Sequence, residues 1–548
     1  MGNYLFSEGW HYGAVFFAAV MSVIVIINYQ NRKAKLSSLQ LSLEEMKNRK
    51  RNFKTISKLF NYDKNTHEGK NVVIDDQTWG DLEMDSFYKE VDFTLTTPGE
   101  QKLYEMLRMP LTSAVEIGKR GRIIEFFQKD EDSREKIRKA LALLGRQHEG
   151  DIAEFIYESE HKYMSKFIFD ILAFLLLLSG GLIFLYGNKA VFAFMLMFII
   201  NMSVHKRINK KINERVLSIN YLSSIATFVT SFCKFDMEEL KEYREELLRN
   251  KKTCDTILEN SSSIGRTEGL DVIGDYINIM LLVQVRSYYK VMNKIEKSQK
   301  NLKSIYNIIG EIDALISTSV YKNTLDYYAA PQFTKDGRFR LREAVNPLII
   351  GGVPNSIEIN SKGIILTGSN MSGKSTFLRT IGINAITAQT LDFVTAEEYE
   401  SDILEIVSSI SPRDDISQGK SYYLGEAEAV LRIINKVKGN IRCLCIIDEI
   451  FRGTNPAERI AASAEILNYI MKHNAYAIVA THDLELTELT SDCYVPYYFS
   501  EEVDDAEGIS FDYKLKKGVS PTRNAIKLLK YLGYPEEIIK NSQKRLVN

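Results

Sequence analysis

The stretch Gly368-Ser-Asn-Met-Ser-Gly373-Lys374-Ser375 directly follows a short apolar run, GIILT at 363–367, and opens into a helical pattern at Thr376. Strand, glycine-punctuated loop and helix in immediate succession place a strand's carboxyl end beside a helix N-terminus, which commits the surrounding chain to an α/β sheet. The spacing carries a chemistry as well. The glycines permit a tight loop whose backbone N–H groups surround phosphate, Lys374 is placed to reach the terminal phosphates, and the Ser375 hydroxyl to ligate Mg²⁺.

Two further strands point to the same sheet edge. LCIIDE at 444–449 is apolar until it ends in two carboxylates, as at the carboxyl end of a central parallel strand. Asp448 is expected to hold Mg²⁺ and Glu449 to orient and deprotonate an attacking water. AYAIVA at 475–480 delivers Thr481-His482-Asp483, so that His482 becomes a candidate contact to a γ-phosphate or to that water. The expected catalytic set is Glu449, His482 and Lys374; the expected metal ligands are Ser375 and Asp448.

The 548 residues exceed what one hydrophobic core supports, so several domains are expected. The 70 Lys plus Arg against 71 Asp plus Glu remove the argument for a nucleic-acid partner that a globally basic chain would supply, leaving only local patches. Five cysteines at 233, 254, 443, 445 and 493 have neither zinc-site nor disulfide-framework spacing and read as reduced thiols.

Three apolar runs point to a membrane. Residues 13–27 carry no charge and are followed by Arg32, Lys33 and Lys35, the reverse of a signal-peptide order and the order of a retained anchor whose downstream chain is cytoplasmic. Runs 167–186 and 190–204, separated by Gly187, Asn188 and Lys189, read as a transmembrane hairpin with Lys162, Lys166, Lys206, Arg207, Lys210 and Lys211 at its cytoplasmic base. The expected topology is multi-pass in the cell membrane, with the helical and sheet domains cytoplasmic and the lipid bilayer as a partner.

The fold class that follows is multidomain. A span at about 12–28 within residues 1–35 precedes a basic juxtamembrane linker over 36–78. A long-helix, all-α core or lever occupies 79–330, interrupted by the hairpin, and an α/β P-loop domain occupies 331–510. In the linker Lys47, Arg49, Lys50, Arg51 and Lys54 lie close enough to meet lipid head groups or form a solvated face. The proline-free segment 277–316 reads as one long arm, with Lys290, Lys294 and Lys297 on one face near Tyr288 and Tyr289.

Taken together, TGSNMSGKSTFLR (367–379), DDISQGKSYYLGE (414–426), DEIFRGTNPAER (448–459) and ATHD (480–483) resemble the ordered ATPase motifs of the MutS family. TTPGEQKLYEMLRMPL (96–111) is similar to the start of that family's helical core, IGEIDALIS (309–317) to its end, and 511–539 to its C-terminal dimerising helices, placed here at 511–548. The resemblance implies an ATPase with ATP and Mg²⁺ bound by Gly368, Ser369, Asn370, Met371, Ser372, Gly373, Lys374, Ser375 and Thr376. It also implies a homodimer in which Ser421 completes the other subunit's phosphate site. Gln389 resembles the residue that links nucleotide state to the helical arms, and Asn355 lies in a VPN segment that borders the adenine. Fewer than eighty residues precede the helical core, so a mismatch-reading domain is not expected, although DNA remains the implied partner. Ser369 and Ser372 stand where the family has Pro and Gly. An ATP-switched dimeric clamp is therefore expected; the alternatives are a transporter-type membrane ATPase, disfavoured by the few membrane charges, and an ATP-binding scaffold without turnover.

Overall fold

The computed structural model describes residues 41–66, 72–147, 150–157, 166–261, 272–369, 372–410, 422–451, 455–504, 508–519 and 532–547, with Ser22, Leu529 and isolated residues between 29 and 39. The expected first span lies, apart from Ser22, outside the described residues, as do Asn370, Met371 and Ser421. The chain forms two compact units. One comprises Met1–Asn65, Asp92–Leu103 and Phe126–Ser317; the other comprises Thr66–Val91, Tyr104–Glu125 and Thr318–Asn548.

The second unit is built on a six-stranded sheet. Strands β4 (Gly363–Thr367), β6 (Leu404–Ser409), β7 (Arg442–Asp448), β8 (Ala475–Ala480), β9 (Tyr494–Asp504) and β10 (Gly508–Lys517) lie in the order β10-β9-β4-β8-β7-β6. All neighbours are parallel except β9 and β10. The four-stranded sheet β1-β5-β2-β3 joins β1 (Gln332–Phe333), β2 (Phe339–Ala344), β3 (Asn355–Ile359) and β5 (Glu398–Ser401). Strands β4, β7 and β8 are apolar almost throughout because helices cover both faces. Ile365, Ile447 and Val479 pack with Val430 and Ile433 of helix Tyr422–Lys436 and Leu467 of helix Pro456–Met471. Helix Lys374–Leu391 is buried from Phe377 onward except at Arg379, and a Cβ at Gly382 would lie 2.4 Å from Leu82 and 3.1 Å from Ile446, so only glycine lets the helix sit this close.

Several sequence expectations change here. The 36–78 stretch is not a free linker, since Met46, Ile56, Leu59 and Phe60 are buried. Arg49 and Arg51 turn inward: both ion-pair with the fully buried Asp92, and Arg51, 1% exposed, also donates to the carbonyls of Met46, Lys47 and Arg49. Helices Asp76–Asp81 and Met84–Val91 belong to the sheet unit, where the Asp81 carboxylate accepts from Ser408 Oγ at 2.8 Å and from the Ile410 N–H at 3.0 Å. Residues 511–517, expected to begin dimerising helices, are part of edge strand β10; the helix Glu536–Val547 follows them. Phe511, Tyr513 and Leu515 alternate with polar residues, the two-residue period of a strand.

The other unit is helical. Helix Lys166–Tyr186 turns at Gly187 (φ 59°) into helix Asn188–Phe232, whose 45 residues carry the chain from an apolar run through a basic stretch without a break. Among the described residues, Lys166–Tyr186 and Asn188–Lys210 are long and apolar enough to cross a membrane, by length and composition. The single arm expected over 277–316 is three helices, Val272–Leu281, Val283–Lys297 and Gln299–Lys322. Leu282 in a left-handed conformation makes the first break and Ser298 the second. Tyr288 and Tyr289, expected near an exposed basic face, are buried.

Candidate functional site

The loop after β4 leaves the sheet through Gly368 and enters helix Lys374–Leu391 through Gly373, with φ of 140° and 105° respectively. At Gly368 a Cβ would also lie 2.8 Å from the Phe499 carbonyl oxygen, so both glycines are required by backbone shape and the first by space as well. Within the loop Ser372 Oγ donates to Ser369 O at 2.8 Å. The Lys374 ammonium turns back across the loop and donates to Gly368 O at 2.8 Å and Ser369 O at 2.7 Å, which holds a cation over the cradle. A helix start leaves backbone N–H groups without partners inside the helix, so positive potential from two sources meets at this point.

The carboxyl ends of β7 and β8 arrive beside it because both strands are parallel neighbours in the same sheet. Asp448, the last residue of β7, is buried and accepts a short hydrogen bond from Ser375 Oγ. A hydroxyl paired with a carboxylate in this way is a donor set suited to Mg²⁺, whose preferred ligands are hard oxygens. Glu449 follows with φ 60°, and its N–H is fixed to Ala480 O at 2.9 Å. This left-handed turn directs its carboxylate to His482, where Oε1 lies 3.1 Å from Nε2. The loop carrying His482 is itself clamped: Asp483 accepts from Arg459 Nε at 2.9 Å and from its Nη2, tying the end of β8 to helix Pro456–Met471.

Lys374, Ser375, Thr376, Asp448, Glu449 and His482 line one cavity of about 930 Å³, within the range of small-molecule sites. Its lining also includes Ile349, Gly351, Gly352 and Val353 with Asn346, Asn355, Phe377, Phe499 and Tyr513. Asn355 is part of this lining, but its side chain is committed to β10, donating to Tyr513 O at 2.9 Å and accepting from the Leu515 N–H at 2.7 Å. This fixes the irregularity between Phe511 and Leu515 and leaves Tyr513 (φ 52°) against the loop, its ring 3.3 Å from where a Cβ of Gly373 would stand.

Gln389 is not brought to the cavity. It sits at the far end of helix Lys374–Leu391, fully buried, donating to Leu404 O at 3.0 Å and accepting from Leu404 N at 2.7 Å. Fifteen residues of helix separate it from Lys374, about 22 Å at 1.5 Å per residue, so its direct role is to anchor the start of β6. Sequence reasoning missed Tyr513, the Arg459–Asp483 clamp and Glu501, whose carboxylate accepts from Ser369 Oγ. The alternation of β10 was a usable signal for Tyr513. Nothing local marked Glu501, which depends on the pairing of β9 with β4.

Comparison with known proteins agrees with this arrangement. Residues 65–319 match the family MutS domain III and residues 364–548 match MutS domain V. The DNA mismatch repair protein MutS of Petrotoga mobilis is 31% identical over 275 residues, covering 47% of this chain and 33% of the relative. That of Pseudothermotoga lettingae is 33% identical over 248 residues, covering 43% and 30%, and that of Thermus thermophilus is 27% identical over 263 residues, covering 47% and 31%. The chain thus spans about a third of the length of the curated relatives it matches. With a helical domain III, a sheet domain V and the four ATPase-like motifs in family order, the chain belongs to the MutS family.

Proposed function

We propose that this protein is a membrane-tethered ATPase of the MutS type, working as a homodimeric, ATP-switched clamp on DNA. The observation that carries the ATPase is the convergence of Lys374, Ser375, Asp448, Glu449 and His482 on one cavity at a sheet edge. In this reading the backbone of the glycine loop and the Lys374 ammonium bind the β- and γ-phosphates of ATP, while the part of the cavity lined by Tyr513 and Asn355 receives the nucleoside. Ser375 and Asp448 would hold Mg²⁺, which when bound neutralises phosphate charge. The Glu449 carboxylate takes a proton from the attacking water, and His482 keeps that carboxylate oriented. Ser421 from the opposing subunit completes the phosphate site.

The tether is supported by the two apolar helices. Phe184, Leu185 and Phe192 are 92%, 77% and 76% exposed, a surface suited to hydrocarbon rather than water. The charge order around the first apolar run and the basic residues at the hairpin base support a cytoplasmic sheet unit. DNA enters through the family, whose curated relatives are named as mismatch repair proteins. ATP turnover by the solubilised full-length protein, with and without duplex, branched and mismatched DNA, tests this part. One of these structures is expected to change the rate severalfold; a rate indifferent to all of them removes DNA from the proposal and leaves the ATPase.

A further inference from the structure

The break at Leu282 lies against the apolar hairpin, and its hydrogen bonding is unusual. In an unbroken helix the Gln284 N–H would donate to the Met280 carbonyl, four residues back. Here the Gln284 N–H donates instead to Asn278 Oδ1 at 2.8 Å, and the freed Met280 carbonyl accepts from Asn201 Nδ2 at 2.7 Å. Asn201 is fully buried in the second apolar helix, and the same amide reaches the Leu172 carbonyl of the first at 3.5 Å. An otherwise apolar run therefore carries one amide where a neighbouring backbone is interrupted. Water would satisfy a broken helix without such help; hydrocarbon would not, and backbone interruptions at membrane depth require a protein partner.

Polar contacts on either side fix the level. Asn201 lies four residues, about 6 Å, before the basic cluster that begins at His205 and Lys206. Just below Leu172, Asp170 pairs with Lys166 at 3.4 Å and with Arg286 at 2.5 Å, and Phe169 stacks on Tyr289 at 4.7 Å. Charged groups therefore gather on the Val283–Lys297 side of the break. On the other side, Tyr276 and Ile277 are 57% and 47% exposed beside the hairpin's own exposed apolar surface. Val272–Leu281 is ten residues, about 15 Å and half the thickness of a bilayer's hydrocarbon.

We propose that Val272–Leu281 is a further lipid-contacting element, a half-helix seated at the boundary of head groups and acyl chains and pinned there by Asn201. This rests on the membrane reading of the hairpin. The test uses the full-length protein in lipid vesicles with Cys233→Ser and Cys493→Ser, the two thiols that are not buried. Nitroxide labels are attached singly at Tyr276→Cys, Ile277→Cys, Leu177→Cys on the hairpin and Lys290→Cys beyond the break, and relaxation by molecular oxygen is compared with relaxation by a water-soluble nickel chelate. Labels at 276 and 277 are expected to show an oxygen-to-nickel ratio severalfold above that at 290 and shallower than that at 177. Water-like ratios at 276 and 277 with a lipid-like ratio at 177 overturn the half-helix and leave the tether standing. A water-like ratio at 177 overturns both.

Discussion

Glu449→Gln is expected to lower ATP turnover by about 10²–10⁴-fold while leaving ATP affinity within a few-fold of wild type. The amide keeps the size and hydrogen-bonding reach of the carboxylate, and the backbone that aims it is fixed independently by the Glu449 N–H bond to Ala480 O at 2.9 Å and by φ 60°. What the variant loses is the capacity to take a proton from water. The contact to His482, 3.1 Å from Oε1 in the parent, can persist as a neutral hydrogen bond, so the loop ending in Asp483 and its Arg459 clamp should hold. Single-turnover kinetics beside equilibrium nucleotide binding separates the two effects. Turnover within twofold of wild type would assign the proton transfer to another group; equal losses of binding and turnover would make Glu449 a structural residue.

The second large effect falls on stability. Asp92→Ala is expected to destabilise the helical unit by about 3–5 kcal/mol, because it strands two guanidinium groups that were desolvated to meet that carboxylate. The Asp92 side chain is fully buried and that of Arg51 is 1% exposed, so water cannot replace the lost partner. Burial alone would raise the Asp92 pKa, but Arg49, Arg146 and Arg51 together hold the carboxyl below its ordinary range. A depressed native pKa means that this stabilisation is complete above the unfolded value near 3.9 and is lost as the pH falls through the lower native value. The variant should therefore lose stability at neutral pH and show a shallower acid limb. Thermal unfolding in mild detergent at pH 7 and below pH 4 measures both; a change under about 1 kcal/mol at pH 7 would mean that the cluster relaxes around the gap.

That Lys374, Ser375, Asp448, Glu449 and His482 would meet at one sheet edge was legible because each sits at the end of a short apolar strand or at the helix start after one, and both signals are local. The strand-and-helix alternation after Pro331 was legible for the same reason. What escaped notice depends on partners distant in sequence. Arg49 and Arg51 looked like a solvated basic face because Asp92, the residue that turns them inward, lies 43 and 41 positions away. The break at Leu282 has no proline or glycine to announce it; Asn278 and Asn201 make it tolerable, and Asn201 is 79 residues removed from Met280. Residues 511–517 alternated like a strand, but the family resemblance suggested helices, and there the local period was the better guide. Gln389, which the resemblance made a link between nucleotide state and the helical arms, lies away from the cavity, its amide hydrogen-bonded to the Leu404 backbone.

Equilibrium binding of a fluorescent ATP analogue to the full-length protein, with Mg²⁺, with chelator, and in the Lys374→Ala variant, tests the nucleotide site most directly. Saturable binding at one site per chain is predicted for the wild type, weakened by chelation and lost by 10-fold or more when the ammonium over the loop is removed. Binding unaffected by both Mg²⁺ and Lys374, or no saturable binding by the wild type, would contradict the assignment of this cavity to ATP.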